Sequence, residues 1–152
     1  MTSLRRATAA DVELLVGWHA DPDVSRYWDE ETFTPAEMEE RLARPSVEAY
    51  VVEAAGAPVG YLQVHDDDRD GRGGLDMFLV PDARGRGLGP DAARAMTRHL
   101  VDERGWTRVT VDPYAWNDVA VRAWERAGFV TLSEHEPDRE HTARWILMEF
   151  RD

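Results

Sequence analysis

The stretch RGRGLG, residues 84–89, sets three glycines and two arginines between the apolar run LDMFLV and the segment PDAARAMTRHLVDE. Gly85, Gly87 and Gly89 open backbone conformations closed to other residues. Successive amides can then converge on an anion, and the positive end of a following helix adds to their pull. Arg84 and Arg86 would supply charged donors to phosphate oxygens. The alternative is a tight turn that packs a helix on a strand. The P-loop pattern is absent, and the spacing is G-x-G-x-G followed by Pro90 rather than the dinucleotide fingerprint G-x-G-x-x-G. Asp112 lies about where a ribose-binding acid would fall. The loop, however, follows a hairpin meander late in the chain, not the opening strand of a doubly wound sheet.

The five histidines are scattered and form no H-E-x-x-H. EHEPDREH, 134–141, places two of them among acids, which reads as a charged loop or a metal site. A Ser-His-Asp set cannot be read from spacing, because such triads assemble in space.

The elements that must position these residues follow from periodicity and punctuation. LRRA is a short strand; Thr8 and Asp11 form a capping box for a helix through Leu14, Leu15 and Trp18 that ends near residues 21–23. Thr34, Pro35 and Glu37 occupy N-cap, N1 and N3 of a second helix that stops before Pro45. AYVVEA and VGYLQVH, separated by AGAP, predict a hairpin, and DDDRDGRGG is a polar turn before the strand LDMFLV. Ala92, Ala93, Met96 and Leu100 mark a helical stripe ending at Gly105. TRVTV is a strand, and a helix follows from Asn117 to a Gly128 at C′. FVTLSE and ARWILMEF are the last two strands. A meander followed by a βαβ unit means a mixed sheet with helices packed on it, an α+β (mixed α/β) architecture.

The 152 residues suit one domain, 1–152, with a real core. No apolar run is long enough for a bilayer, and the start has no signal-peptide pattern, so a cytoplasmic protein without membrane contact is expected. The absence of cysteine excludes disulfides, thiolate metal sites and cysteine nucleophiles. A net charge of −12 would repel phosphate backbones, which argues against nucleic acid and favours a cationic partner or simple solubility.

The spacing R-x-x-G-x-G at 84–89 resembles the acetyl-coenzyme A loop of the GCN5-related N-acetyltransferases, the GNAT superfamily. VTVDPYAWNDVAVRAWERAGF resembles the second half of that family's cofactor site. GYLQ (60–63), GLDMF (74–78) and the N-terminal segment with Trp18, Val24 and Trp28 resemble the aminoglycoside 6′-N-acetyltransferases in particular. The resemblance covers nearly the whole chain, in order. It implies a mixed, mostly antiparallel sheet, splayed between its two central strands and flanked by about four helices. Acetyl-CoA, with no metal, would sit in the splay. The implied acceptor is a small cationic amine, foremost the 6′-amino group of an aminoglycoside, as in antibiotic resistance. A siderophore precursor, a polyamine or a protein N-terminus would need the same chemistry, and a non-catalytic acetyl-CoA-binding module is a further alternative. Family members occur as monomers and homodimers.

The resemblance also distributes roles. Phe78, Leu79 and Val80 with the whole loop Arg84, Gly85, Arg86, Gly87, Leu88 and Gly89 hold the cofactor, and a strand amide near Met77–Leu79 polarises the thioester. Asp76 is a general base or an anion that binds the cationic substrate. Asp112 faces substrate amines or caps a turn. Asn117 is an N-cap, a pantetheine partner, or both. Trp124 departs from the family pattern: a tyrosine usually stands there as general acid, whereas an indole cannot deliver a proton at useful pH, so Trp124 donates a hydrogen bond or packs. Tyr114 is a weak substitute for the acid and a candidate substrate contact. Trp28 walls the acceptor pocket or packs in the core, Gln63 bonds a substrate hydroxyl or faces the other side of its strand, and Asp66, Asp67 and Asp68 form an acidic rim or a solvated loop. The connection carrying those three is shorter than in the aminoglycoside enzymes, which bears on substrate identity more than on the reaction.

Overall fold

The computed structural model describes residues 1–66 and 71–151. Its seven strands are β1 (Thr2–Arg6), β2 (Val47–Ala54), β3 (Ala57–Asp66), β4 (Arg72–Leu79), β5 (Arg108–Val111), β6 (Phe129–His135) and β7 (Trp145–Phe150). They form one sheet in the order β1-β2-β3-β4-β5-β7-β6. Every pairing is antiparallel except β4 with β5, which α4 (Leu88–Arg98) connects. The other helices are α1 (Val12–Ala20), α2 (Pro22–Ser25), α3 (Pro35–Ala43) and α5 (Asp118–Ala127).

The mixed, mostly antiparallel sheet matches the sequence-based expectation. Five helices appear where about four were expected, because the segment at 21–23 does not simply end α1. Asp21 accepts a hydrogen bond from the Asp23 amide at 2.9 Å, and Pro22 starts the four-residue helix α2. The helix expected to run unbroken to Gly105 instead leaves α geometry after Arg98 and continues as one π turn, His99–Glu103. Both capping boxes form: Thr8 with Asp11, which opens as a single 3-10 turn, and Thr34 with Glu37. In the first, the Arg5 guanidinium holds the Asp11 carboxyl below its usual range through hydrogen bonds of 2.9 Å to both oxygens.

The β2–β3 hairpin turns at Ala55 and Gly56, both with positive φ (52° and 79°), the two-residue turn that suits strand twist. Cβ positions alternate across β3, so Leu62 and Val64 pack under α4 and α5 while Tyr61 packs under α1 and α3. The sheet therefore has a core on each face. A Cβ at Gly60 would lie 2.4 Å from the Phe78 carbonyl oxygen, so only glycine lets β3 approach β4 there. Gly60→Ala should cost about 1–3 kcal/mol, a loss of about 5 °C in Tm, read by thermal unfolding.

Strands β4 and β5 pair only at Arg72–Arg108, Gly73–Val109 and Gly74–Thr110. Beyond them β4 runs on to Leu79 with no neighbour on that side, while β5 ends at Val111 before Asp112-Pro113. Pro113 has no amide to continue a ladder. The two central strands thus part, and the gap opens toward the C-terminal end of β4.

Candidate active site

The glycine loop lies at that end of β4. Gly85 and Gly87 have φ of 74° and 77°, and an added Cβ at either would meet open space, so the loop needs glycine for its backbone path rather than for room. Among the described residues, the N–H groups of Gly85, Arg86, Gly87, Leu88 and Gly89 have no hydrogen-bond partner. Leu88 and Gly89 are the first residues of α4, where amides are unpaired by helix geometry, and Pro90 brings none. Five unpaired amides at a helix N-terminus suit the pyrophosphate of a coenzyme A donor.

Arg84 turns back on the protein. Its Nε donates to the Leu79 carbonyl at 3.0 Å, its Nη2 donates to the Asp23 carbonyl at 2.7 Å, and its guanidinium lies over the Tyr27 ring. It braces the loop against the segment after α1. Arg86 and Val80 do not line the adjoining cleft: Arg86 points to solvent, and the Val80 amide donates to the Val59 carbonyl at 2.9 Å. Phe78, Leu79, Arg84, Gly85, Gly87, Leu88, Gly89 and Asn117 do line it, in a volume of about 540 Å³. Asn117 is also the N-cap of α5, accepting from the Ala120 amide at 3.2 Å. In an antiparallel pair hydrogen-bonding residues alternate, so from Val80 the amides of Phe78 and Asp76 face β3, and those of Met77 and Leu79 face the gap.

A second cleft of about 260 Å³ adjoins the first, sharing Tyr27, Met77, Asn117, Ala120 and Trp124. Its walls carry the carboxyl groups of Asp29, Glu31, Asp76, Asp112 and Glu140 beside the guanidinium of Arg41 and the imidazole of His141. Trp28 also lines it, packed edge-to-face on Tyr61 and Phe78. Beneath Trp28, His19 is buried. That burial and the charge of Arg41 push its pKa down to about 4, so it packs as a neutral ring.

Asp76 sits directly opposite Gln63 across β3 and β4. Gln63 faces the cleft, as a substrate contact requires, but its amide is already engaged. Its Oε1 accepts from Tyr61 at 2.9 Å and from Arg41 at 3.4 Å, which leaves its Nε2 to donate to Asp76 Oδ2 at 3.1 Å. His65 Nε2 lies 3.5 Å from the same oxygen. Burial pushes the Asp76 carboxyl up, and Asp112 adds to the rise, while His65, Gln63 and Arg41 oppose it. The carboxyl is hemmed in by protein except toward the cleft, where 34% of its side chain stays open and water limits the shift.

Trp124 is 8% exposed, edge-to-face on Phe129 at 5.3 Å, and lies where the two clefts meet. Tyr114 caps the mouth: its hydroxyl donates to Asp29 and accepts from the Thr142 amide, and its ring stacks on Trp116. Asp29 and Glu30 hold positive φ of 53° and 57°, a conformation rare for such residues, in the segment that reaches this contact. Asp112 is bound at Oδ2 by His141 Nε2, at 2.7 Å. The sequence marks 134–141 only as a charged loop or metal site. The described residues contain no metal-binding group of three, and the loop instead delivers His141 to the cleft. Asp67 and Asp68 of the expected acidic rim lie outside the described residues.

An anion cradle opening through parted strands into an acidic cleft fits an acyltransferase with a phosphate-tailed donor. The chain belongs to the GNAT acetyltransferase family, whose domain model matches residues 7–137, and it is an N-acetyltransferase. It is 30% identical over 146 residues to an aminoglycoside N(6′)-acetyltransferase type 1 of Klebsiella pneumoniae, covering 84% of this chain and 73% of that protein. The aminoglycoside acetyltransferase AAC(6′)-Ib, solved with coenzyme A and kanamycin, superposes with a TM-score of 0.85 at 25% identity over 98% of this chain and 94% of that one. A spermidine N-acetyltransferase of Vibrio cholerae, solved with CoA and spermine, has the same fold at a TM-score of 0.85 and 16% identity, over 98% and 94% of the two chains. No helix among the described residues is long and apolar enough to cross a membrane.

Proposed function

We propose that this chain acetylates an amino group of a small polycation from acetyl-CoA, foremost the 6′-amino group of an aminoglycoside. The observation that carries the reading is the junction of the amide cradle with the acidic cleft through the β4–β5 gap. Acetyl-CoA supplies an activated acyl group on a thiolate leaving group. The amides of 85–89 and the N-terminus of α4 hold its pyrophosphate, and Asn117 and Trp124 flank the arm that reaches the gap. The gap-facing amides of Met77 and Leu79 are placed to stabilise charge on the acyl oxygen. Asp76 receives the ammonium at the junction and takes its proton, and the freed amine forms the N–C bond as the C–S bond breaks. Gln63, fixed by Tyr61 and Arg41, positions Asp76 rather than touching substrate. The other acids attract further ammonium groups of the acceptor, as does the net charge of −12.

The relative from Klebsiella pneumoniae supports the aminoglycoside as acceptor. One observation favours a linear polyamine instead: only residues 67–71 join β3 to β4, leaving little chain to wall a bulky sugar acceptor. CoA release, read with a thiol reagent, tests both readings cleanly because the protein has no cysteine. Turnover is expected on kanamycin and tobramycin and lost on an analogue lacking the 6′-amine. Turnover on spermidine, lysine or a peptide with none on aminoglycosides would overturn the aminoglycoside reading.

A further inference from the structure

His141 lies in the segment between β6 and β7, 7% exposed, with its ring stacked on Trp145 at 4.1 Å and 11°. Its Nδ1 is 2.9 Å from Asp138 Oδ1, and its Nε2 is 2.7 Å from Asp112 Oδ2. A neutral imidazole has one N–H, so it would set a lone pair against a carboxylate at one of these contacts. Only the imidazolium donates at both. Asp138 is fixed elsewhere as well, accepting from the amides of Glu140 and His141 and from the Trp145 indole. Asp112 is different: its side chain is 40% exposed in the acceptor cleft, and among the described residues its Oδ1 accepts no hydrogen bond.

We infer that His141 is a resident counter-cation of the acceptor cleft, and that its charge sets how strongly Asp112 can bind a second ammonium group of the acceptor. This rests on the proposed acceptor chemistry and assigns its specificity to a residue outside the reacting centre. The groups facing the ring are Asp138 from its own segment, Asp112 and Tyr114 from the segment after β5, and the uncharged Trp145 of β7, while Glu140 lines the same cleft. Asp76 lies on the same cleft as Asp112. Burial works to lower the pKa of His141, but the hydrogen bonds its ring donates to Asp138 and Asp112 outweigh it and hold it above the ordinary value. With the proton on, Asp112, His141 and Asp138 together carry one negative charge; with it off, two. An ammonium at Asp112 therefore competes with the imidazolium, whereas an amine that places its only charge at Asp76 does not. By linkage, a bound polycation must also lower the pKa of His141.

The test combines kinetics with NMR titration of the histidine ring in the intact enzyme. His141→Gln should lower KM for kanamycin about fivefold at pH 7, a larger change than the one it makes in KM for a singly charged amine acceptor. In wild type, KM for kanamycin should fall as pH rises through the His141 transition, and this fall should vanish in the variant. The ring should titrate above its ordinary value and move down when kanamycin binds. A ring neutral at pH 7, or a variant that changes KM for both amines alike, overturns the inference while the acetyltransferase reading stands. Absence of binding and turnover with every amine overturns the proposed acceptor chemistry, and the acceptor role of His141 with it.

Discussion

Asp76→Asn will lower kcat/KM for the acceptor about 100-fold, the usual size of a lost general base, with KM for acetyl-CoA nearly unchanged. Asparagine keeps an oxygen for the Gln63 amide, so the β3–β4 contact survives while the proton acceptor is lost. The wild-type kcat/KM profile will have an acid limb above the ordinary carboxylate range, because burial and the charge of Asp112 raise the Asp76 pKa. That limb will disappear in the variant. Stability will move the other way. The folded state holds the Asp76 proton to higher pH than the unfolded chain, whose aspartates titrate near ~4. Folded wild type therefore loses stability as pH rises from about 4 through the folded pKa. At pH 7 the variant escapes that loss and should melt at the same temperature as wild type or higher. A kcat/KM within a few-fold of wild type would assign proton removal to another group. A parallel rise in KM for cationic acceptors alone would leave Asp76 as a binder.

The features legible in the sequence were those written locally. Thr8–Asp11 and Thr34–Glu37 are three-residue patterns, and the turn at Ala55-Gly56 and the cap at Asn117 are equally short-range. The stripe Ala92, Ala93, Met96 and Leu100 is buried throughout. The glycine loop was legible because its backbone demands are met by one residue type. What stayed hidden depends on partners far apart in the chain. The Asp112–His141 contact spans 29 positions and the Tyr114–Asp29 contact 85, and no spacing rule reports either. The strand pattern locates Gln63, but the engagement of its amide depends on Arg41, which arrives from α3. Arg84 and Arg86 look equivalent in the motif; one faces the protein and the other solvent only because the loop turns between them at Gly85. The π turn at 99–103 left no mark in the helical stripe, because Leu100 is buried in either geometry.

Trp124→Ala will cost about 3–5 kcal/mol of stability, lowering Tm by about 10 °C or more, and will weaken donor binding as well. The ring fills the core between α5 and β6, with its edge against Phe129, and also walls both clefts where they meet. Alanine would leave a hole open to the gap between β4 and β5, so the strands would lose the wedge that keeps the junction in shape. Trp124→Phe separates this packing from the polar function. The indole N–H has no hydrogen-bond partner among the described residues, so phenylalanine deprives the protein of no internal bond. If the side chain acts by packing, kcat for Trp124→Phe will stay within about threefold of wild type, the worth of a weak neutral hydrogen bond. A fall beyond tenfold with an unchanged Tm would mean that the N–H stabilises the departing sulfur. The first outcome is expected. A free thiol has a pKa near ~8.5, so the thiolate is a competent leaving group at neutral pH, and water at the open junction can protonate it afterwards. The proton that must move during the reaction is then the one on the amine, and in the mechanism we propose Asp76 rather than Trp124 takes it.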